Sequence, residues 1–362
     1  MRIAINGFGR LGRAIARAAL GKGAEQDIEI VGINDVANAE NLAYLLEKDS
    51  MHGALGQSVR LKQGNPYNTL IIEQKCQEAL QDLSTKQAPQ APLARREIPL
   101  FSCANPLDLD FGALGAEVVI ESSGLFLRSS DVAHHLDKGV RRVIISAPAT
   151  DDTPTFVLGV NHTAYAGQPI ISNASCTTNC LAPIAMLLER EFGIERASLT
   201  TIHSYTNDQS LLDVAHASDK RRSRAAGLNI IPTSTGAAKA LYKVLPSLKD
   251  KIHGHSVRVP VADVSMVDLS AYLSQKVDSR AINELFAAES QGALQGILGI
   301  DSCYGVSSDF LNDTRSAIIA QDLSFTLGNM CKVMAWYDNE WGYAHRIIDI
   351  ARYIYPNRFS FG

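Results

Sequence analysis

The sequence predicts an α/β protein built as an N-terminal Rossmann-type dinucleotide-binding domain followed by a mixed α/β catalytic domain. Three observations predict it. The chain has 362 residues, more than one hydrophobic core usually organises. Its N-terminal part alternates short β-branched strands with alanine-rich helical runs, the signature of strands joined by crossover helices. Gly7-x-Gly9-x-x-Gly12 falls between the first strand and the first helix, and Asp35 closes the second strand, which is the setting in which such a glycine triplet carries meaning.

Taken in order, Arg2 to Asn6 is a strand, Arg13 to Leu20 a helical run, and Ile28 to Asn34 a second, apolar strand. A helix is expected over Asn38 to Glu47, and Ala116 to Ile120 and Arg142 to Ser146 continue the strand pattern. The stretch 74–96 is rich in Gln, Ala, Pro and Lys, and Ala88-Pro-Gln-Ala-Pro92 interrupts any regular element. It reads as a surface insertion, partly helical at Gln77 to Leu83. From about Ile170 the texture changes. Ser256 to Val261, Val267 to Leu273 and Lys332 to Tyr337 alternate in β fashion, and Arg280 to Glu289 and Ala344 to Tyr353 read as helices. The expected division is 1–174 for the dinucleotide domain and 175–343 for the catalytic domain, with a C-terminal helix, 344–362, packing back on the first.

Bulk properties exclude several function classes. Hydrophobic residues make up 46% and charged residues 20%, with a net charge of −4, so neither phosphate neutralisation on a nucleic acid nor polybasic docking on a membrane is supported. No apolar run reaches the roughly 18 residues of a membrane span, and the glycines after Asn6 break up what a signal peptide would need. The 6 cysteines are thinly spread, which speaks against a disulfide scaffold and for a reducing cytoplasm. Cys176 and Cys180 lack further Cys or His partners nearby, so no metal site is expected.

The glycines of the triplet let the backbone approach a pyrophosphate at a positive helix N-terminus. The Asp35 carboxylate suits the hydroxyls of an adenosine ribose and opposes a 2′-phosphate, which favours NAD over NADP. The bland alternative is a tight strand-to-helix turn with a capping aspartate.

Ser172-Asn-Ala-Ser-Cys-Thr-Thr-Asn-Cys180 surrounds one cysteine with small hydroxyl and amide residues, ahead of the apolar run Leu181 to Phe192. A helix starting near Ser175 would stabilise a thiolate at Cys176 and an oxyanion beside it through its N-terminal N–H groups. Pro183 is awkward for that helix unless it kinks. On spacing alone a buried, inert cysteine fits as well, and a base within reach would decide. The nearest candidate is His203, in a polar setting, Thr200-Thr-Ile-His-Ser-Tyr-Thr-Asn-Asp208.

These segments, together with Asn6-Gly-Phe-Gly-Arg, Asn34-Asp35, Ile231-Pro-Thr-Ser-Thr-Gly-Ala-Ala-Lys, Val257-Arg-Val-Pro and Tyr337-Asp-Asn-Glu-Trp-Gly-Tyr, follow one another along the chain. In that order they closely resemble the phosphorylating glyceraldehyde-3-phosphate dehydrogenase family, over the whole chain except 74–96. The resemblance implies that Cys176, paired with His203, attacks the aldehyde of glyceraldehyde 3-phosphate. His203 then takes the hydroxyl proton as hydride leaves for NAD, and inorganic phosphate cleaves the thioester to give 1,3-bisphosphoglycerate. A thiolate–imidazolium pair is expected, each charge favouring the other.

The resemblance also assigns Thr206, Asp208 and Arg258 to the substrate's own phosphate, and Ser175, Thr177, Thr235, Gly236 and Arg222 to the attacking phosphate, although Lys220-Arg-Arg-Ser-Arg224 also reads as a solvated charge run. Arg10 and Leu11 fall at the pyrophosphate, Ser123 and Ser146 near the nicotinamide riboside, and Asn339 at the carboxamide. It further implies a homotetramer with Tyr205 to Leu228 at its centre.

Two features depart from the family pattern. Asp213-Val-Ala215 stands where NAD-specific members read Asp-Leu-Pro, so NADP is expected to be tolerated although NAD is preferred. Erythrose-4-phosphate dehydrogenase, a sister enzyme, and a catalytically silent cofactor-binding scaffold are the alternatives. The other departure is the insertion: deleting Lys75 to Leu93 and closing the loop is expected to leave turnover intact, and loss of activity in a folded deletion variant would count against a bystander role.

Overall fold

The computed structural model describes residues 1–21, 27–74 and 95–355, and within them the chain divides into two compact units, Met1–Leu125 with Val132–Val143, and Phe126–Asp131 with Ile144–Gly362. The expected insertion at 75–94 and its helical stretch lie outside the described residues. No described helix is long and apolar enough to cross a membrane.

In the first unit, β1 (Arg2–Asn6), α1 (Arg10–Leu20), β2 (Glu29–Asn34) and α2 (Ala39–Glu47) follow the expected alternation. Asn38 caps α2 by accepting from the Asn41 N–H, as short polar side chains do at helix starts. Three strands then form a meander, β3 (Gln57–Lys62), β4 (Asn68–Gln74) and β5 (Arg95–Phe101). β6 (Val118–Glu121) and two single-turn helices, α3 (Ser129–Val132) and α4 (His134–Asp137), lead to β7 (Arg142–Ile145), which straddles the boundary of the unit.

The order β3-β4-β5-β2-β1-β6 runs along the sheet. β1 pairs parallel with both β2 and β6, and β2 parallel with β5, whereas β3, β4 and β5 pair antiparallel. The parallel sheet expected from the strand–helix alternation is therefore a mixed one. β1 and β2 are buried along almost their whole length, as strands covered on both faces must be.

The second unit continues with β8 (Ile170–Ser172), α5 (Cys176–Phe192), β9 (Ile194–Ser204), β10 (Ile231–Ser234), α6 (Ala237–Val244), β11 (Ile252–Val259) and β12 (Ser265–Leu273). It closes with α7 (Ser279–Gln291), β13 (Leu298–Asp301), β14 (Ala317–Ala320), β15 (Phe325–Leu327), β16 (Met330–Tyr337) and α8 (Trp341–Ile354). Its sheet runs β10-β11-β9-β12-β16-β14-β13, with β15 on β16. The strand expected at Ser256 begins earlier, at Ile252, because β11 follows β9 in register from Ala197 to Ser204.

A large core binds this unit. Leu181, Ile184, Leu187 and Leu188 of α5 lie in a single buried cluster with Leu199, Val267, Leu269, Val333 and Ala335 of the sheet. Each such side chain contributes about 1.5–3 kcal/mol relative to exposure. α5 continues through Pro183 as one helix.

His135, in the first unit, is fully buried with its ring stacked on Phe111 at 5.7 Å and 4.0 Å from that of His134. Neither of its nitrogens has a hydrogen-bond partner among the described residues. Burial, aided by His134 and Lys138, pushes its pKa down to about 3. Below pH 6.5 the unfolded chain takes up a proton that the folded one refuses, so stability falls as pH drops towards 3, by up to about 1.4 kcal/mol per pH unit. His135→Phe is expected to flatten this acid-side slope in melting experiments between pH 7 and pH 4; an unchanged slope would show that His135 does not carry it.

Candidate active site

In the first unit the glycines of the triplet play three different parts. Gly7 has φ +92, and a Cβ there would strike the Ser123 backbone nitrogen at 2.3 Å. A Cβ on Gly12 would meet the Gly7 carbonyl oxygen at 2.1 Å, which fixes the close packing of α1 on its turn. Gly9, the residue before α1, faces open space, with nothing within 4 Å of a Cβ placed there. The backbone N–H groups at the start of α1 have no acceptor within their own helix, so this turn has room and donors for a pyrophosphate.

Arg10 is paired with Asp49 at 2.5 Å. Burial alone would raise the Asp49 carboxyl, but the N–H groups of His52 and Met51 together with Arg10 hold it down at about 2. Asp35 binds the turn itself, its carboxylate accepting from Phe8 N–H at 2.6 Å and Ala37 N–H at 2.8 Å. Ser123 donates from its N–H and its hydroxyl to one oxygen of buried Glu121. These residues fit the adenosine and pyrophosphate of a dinucleotide. Leu11 follows Arg10 in the first turn of α1.

In the second unit, Ser175 caps α5, its Oγ accepting from the Thr178 N–H at 3.2 Å, so that Cys176 is the first helical residue. The preceding Ala174 is fully buried at φ 56, a conformation that costs a non-glycine residue on the order of 1–3 kcal/mol and persists only where neighbours enforce it. They do so here: Tyr343 OH donates to the Ala174 carbonyl at 2.9 Å, and the Asn179 amide donates to the carbonyls of Asn173 and Ser175.

His203 approaches from β9, its Nε2 lying 3.7 Å from Cys176 Sγ. β9 and β11 are parallel neighbours in which His203 and Arg258 are register partners. Arg258 Nη1 consequently sits 2.6 Å from His203 Nδ1 and donates to the Ser204 carbonyl at 2.9 Å.

Burial and the Arg258 charge hold His203 down at about 3, against the opposing pull of the Ser204 carbonyl. Burial also raises the Cys176 thiol, with Arg258 and Thr177 acting the other way. Burial works against both charged forms of the expected thiolate–imidazolium pair, while the Arg258 charge favours the thiolate and disfavours the imidazolium.

The residues assigned to phosphate fall into two groups. Thr177 Oγ1 bonds Tyr337 OH at 2.9 Å, and Tyr337 OH bonds Thr201 Oγ1 at 2.9 Å, with the Tyr337 ring edge-on to His203. Tyr337 and Thr201 are site residues that the sequence reading does not single out, although Tyr337 heads one of the quoted segments.

The second group centres on Arg222, which donates to Asp208 at 2.5 Å and Thr233 Oγ1 at 2.9 Å and lies 3.5 Å from Asp219. Arg222 is thus a structured residue and not part of a solvated charge run. Asp208 serves as its carboxylate partner and also meets His216 Nε2 at 3.1 Å. Burial, which works to raise the Asp208 carboxyl, is outweighed by His216 and Arg222. Nδ1 of His216 accepts the N–H groups of Ser218 and Asp219, so its proton sits on Nε2 and donates to Asp208. His216 is another contributor missed in the sequence.

Thr235 Oγ1 accepts from the Ala237 N–H at 3.2 Å, and Gly236 stands before α6. Thr206 opens a turn in which its carbonyl accepts from the Gln209 N–H. Ser146 is buried just after β7. Asn339 Oδ1 accepts from the hydroxyls of Ser204 and Ser265 at 2.9 and 2.6 Å, which leaves its amide N–H groups to donate.

Two family models match the chain. Residues 1–91 match the model described as glyceraldehyde 3-phosphate dehydrogenase, NAD binding domain, and residues 175–339 the one described as the C-terminal domain. The chain is 49% identical over 361 residues to a glyceraldehyde-3-phosphate dehydrogenase of Helicobacter pylori, covering 98% of this chain and 99% of that one. It is 44% identical over 357 residues to glyceraldehyde-3-phosphate dehydrogenase 1 of Bacillus subtilis, and 45% over 353 residues to the enzyme of Mycobacterium avium, covering 98% and 97% of each chain respectively.

The hydroxyl bridge yields a stability test. Tyr337→Phe keeps the ring against His203 but leaves the hydroxyls of Thr177 and Thr201 without their shared partner. Unfolding free energy from denaturant titration is expected to drop by about 1–3 kcal/mol, the cost of orphaned buried polar groups. An unchanged midpoint would show that the bridge carries no net stability.

Proposed function

Because the chain belongs to the glyceraldehyde-3-phosphate dehydrogenase family, we propose that it oxidises glyceraldehyde 3-phosphate to 1,3-bisphosphoglycerate with NAD and inorganic phosphate, through a covalent adduct on Cys176. The contact between Cys176 Sγ and His203 Nε2 at 3.7 Å carries this reading. A nucleophile at a helix N-terminus with a base at hand is the arrangement that acyl chemistry on a thiol needs.

The thiol adds to the aldehyde carbon as its proton passes to His203 Nε2, which hands it on to the developing alkoxide, giving a hemithioacetal and leaving His203 neutral. Gly9, Arg10 and Leu11 would hold the pyrophosphate of NAD and Asp35 its ribose, and the bound cofactor would supply the hydride acceptor. His203 takes the proton of the hemithioacetal hydroxyl, and the carbonyl that forms remains bound to Cys176 as a thioester. The N–H groups of the first turn of α5 face the oxygen on which charge gathers at each addition. Inorganic phosphate, held by Ser175, Thr177, Thr235, Gly236 and Arg222, then attacks the thioester carbon and releases Cys176, which takes back the proton from His203. Arg258 and Thr206 receive the phosphate that the substrate already carries. Asp208 acts by orienting Arg222.

NAD is preferred because Asp35 opposes a 2′-phosphate, while Val214 and Ala215 leave room for one in the homotetramer that we propose. No observation favours erythrose 4-phosphate or a silent scaffold. The test is absorbance of the reduced cofactor with glyceraldehyde 3-phosphate, using NAD and NADP, with and without inorganic phosphate. Phosphate-dependent reduction is expected, with kcat/KM higher for NAD. Cys176→Ser should abolish it and His203→Asn should lower kcat by about 10²–10⁴. Reduction that is indifferent to phosphate, or that survives Cys176→Ser, would refute the mechanism.

A further inference from the structure

His216 stands between the two carboxylates that hold Arg222. Its Nε2 lies 3.1 Å from Asp208 Oδ1, and its Nδ1 accepts the N–H groups of Ser218 and Asp219 at 3.1 and 3.0 Å. Asp208 gives its other oxygen to Arg222 Nη1 at 2.5 Å. Asp219, whose own N–H is fixed by the imidazole, accepts the Thr233 hydroxyl at 2.5 Å and lies 3.5 Å from Arg222 Nε. Its second oxygen accepts the N–H groups of Arg221 and Arg222 at 2.8 and 3.4 Å. One ring thus reaches both sides of the guanidinium, through a carboxylate on one side and a backbone turn on the other.

The carboxylates alone would hold Arg222 loosely. The side chains of Asp208 and Asp219 are 43% and 26% exposed, and a long arginine gains little from an exposed partner that can itself rotate. The His216 side chain is only 16% exposed. Its backbone is pinned as well: His216 N–H donates to Ser223 Oγ at 3.0 Å, and that hydroxyl donates to the Asp219 carbonyl. A neutral imidazole suits this place because it sets one donor and one acceptor across a rigid ring. Lysine or arginine could not accept the two N–H groups, and aspartate could not donate to Asp208. With Nη1 and Nε engaged, Arg222 Nη2 keeps only a long contact, 3.4 Å, to the Ser234 carbonyl. It is the nitrogen most open to an anion.

We propose that His216 is a positioning residue for the attacking phosphate: it holds Asp208 through Nε2–H and the Asp219 turn through Nδ1, and so sets the clamp that presents Arg222 to inorganic phosphate. His216 touches no reactant. It acts through Arg222, so its removal weakens capture of the inorganic anion and leaves the cysteine chemistry and the substrate's own phosphate subsite as they are. The inference deepens the proposed function, on which it rests for the assignment of Arg222 to the attacking phosphate.

The experiment is steady-state NAD reduction by the full-length protein, with inorganic phosphate varied at saturating glyceraldehyde 3-phosphate and then the reverse. Three variants separate the two bonds. His216→Ala loses both. His216→Asn keeps an acceptor for the Ser218 and Asp219 N–H groups, as in an Asx turn, but is too short to reach Asp208. His216→Gln reaches Asp208 with its amide N–H but leaves the turn without its acceptor. His216→Ala is expected to raise KM for inorganic phosphate about tenfold, and Asn and Gln about threefold each, with kcat at saturating phosphate and KM for the aldehyde kept within about twofold. Should the alanine variant fail to fold, the other two carry the test. An unchanged KM for phosphate, an equal rise in both KM values, or a fall in kcat that saturating phosphate does not restore would overturn the assignment. Any of these beside phosphate-dependent reduction by the wild type sinks His216 alone, whereas wild-type reduction indifferent to phosphate sinks the reading beneath it.

Discussion

The 3.7 Å approach of Cys176 Sγ to His203 Nε2 joins the first residue of a helix to the penultimate residue of a strand, and the rest of the second unit is arranged to hold both ends still. On the helix side, Ser175 caps α5, Ala174 is held in a left-handed conformation, and Tyr343 and Asn179 take up the carbonyls that this turn exposes. On the strand side, β9 is flanked by β11 and β12, so His203 inherits its position from a continuous ladder. The apolar cluster beneath α5 supplies the energy that such a strained, polar corner consumes.

The two arginines of this region are handled in opposite ways. Arg222 is partnered by Asp208, with Asp219 close by, so its charge is compensated before any ligand arrives. Arg258 has no carboxylate in salt-bridge contact among the described residues, although the charges of Arg222 and Asp208 reach it, and its own field falls on Cys176 and His203. A compensated cation makes an exchangeable site, suited to a phosphate that must come and go. That division follows from where the carboxylates sit, since the side-chain types are the same.

Much of this was legible in the sequence, for reasons that are local. The glycine triplet works within one turn, Ser175 caps a helix three residues from the N–H donor that it satisfies, and Asp35 ends the strand that its position in the pattern implies. What the sequence could not convey is register. His203 and Arg258 lie 55 residues apart and meet only because β9 and β11 are parallel neighbours with one particular alignment. Arg10 and Asp49, 39 residues apart, pose the same problem. Tyr337 was in plain view at the head of a polar segment, but its partners Thr177 and Thr201 come from a different helix and strand. The antiparallel meander β3–β5 escaped because its strands are half-exposed and lack the continuous apolar run of β1 and β2.

The hydroxyl chain from Thr201 through Tyr337 to Thr177 has a polarity. Each hydroxyl carries one proton, so a single chain of bonds can point only one way at a time. If Thr177 is to donate towards an anionic oxygen, it must accept from Tyr337, and Tyr337 must accept from Thr201. Both links are 2.9 Å, and all three residues are buried. The direction is therefore set from the ligand end, and a charge arriving at Thr177 orients a dipole two residues deep in the sheet. The phenol, far too shielded to ionise, serves here as a conductor of orientation without ever giving up its proton.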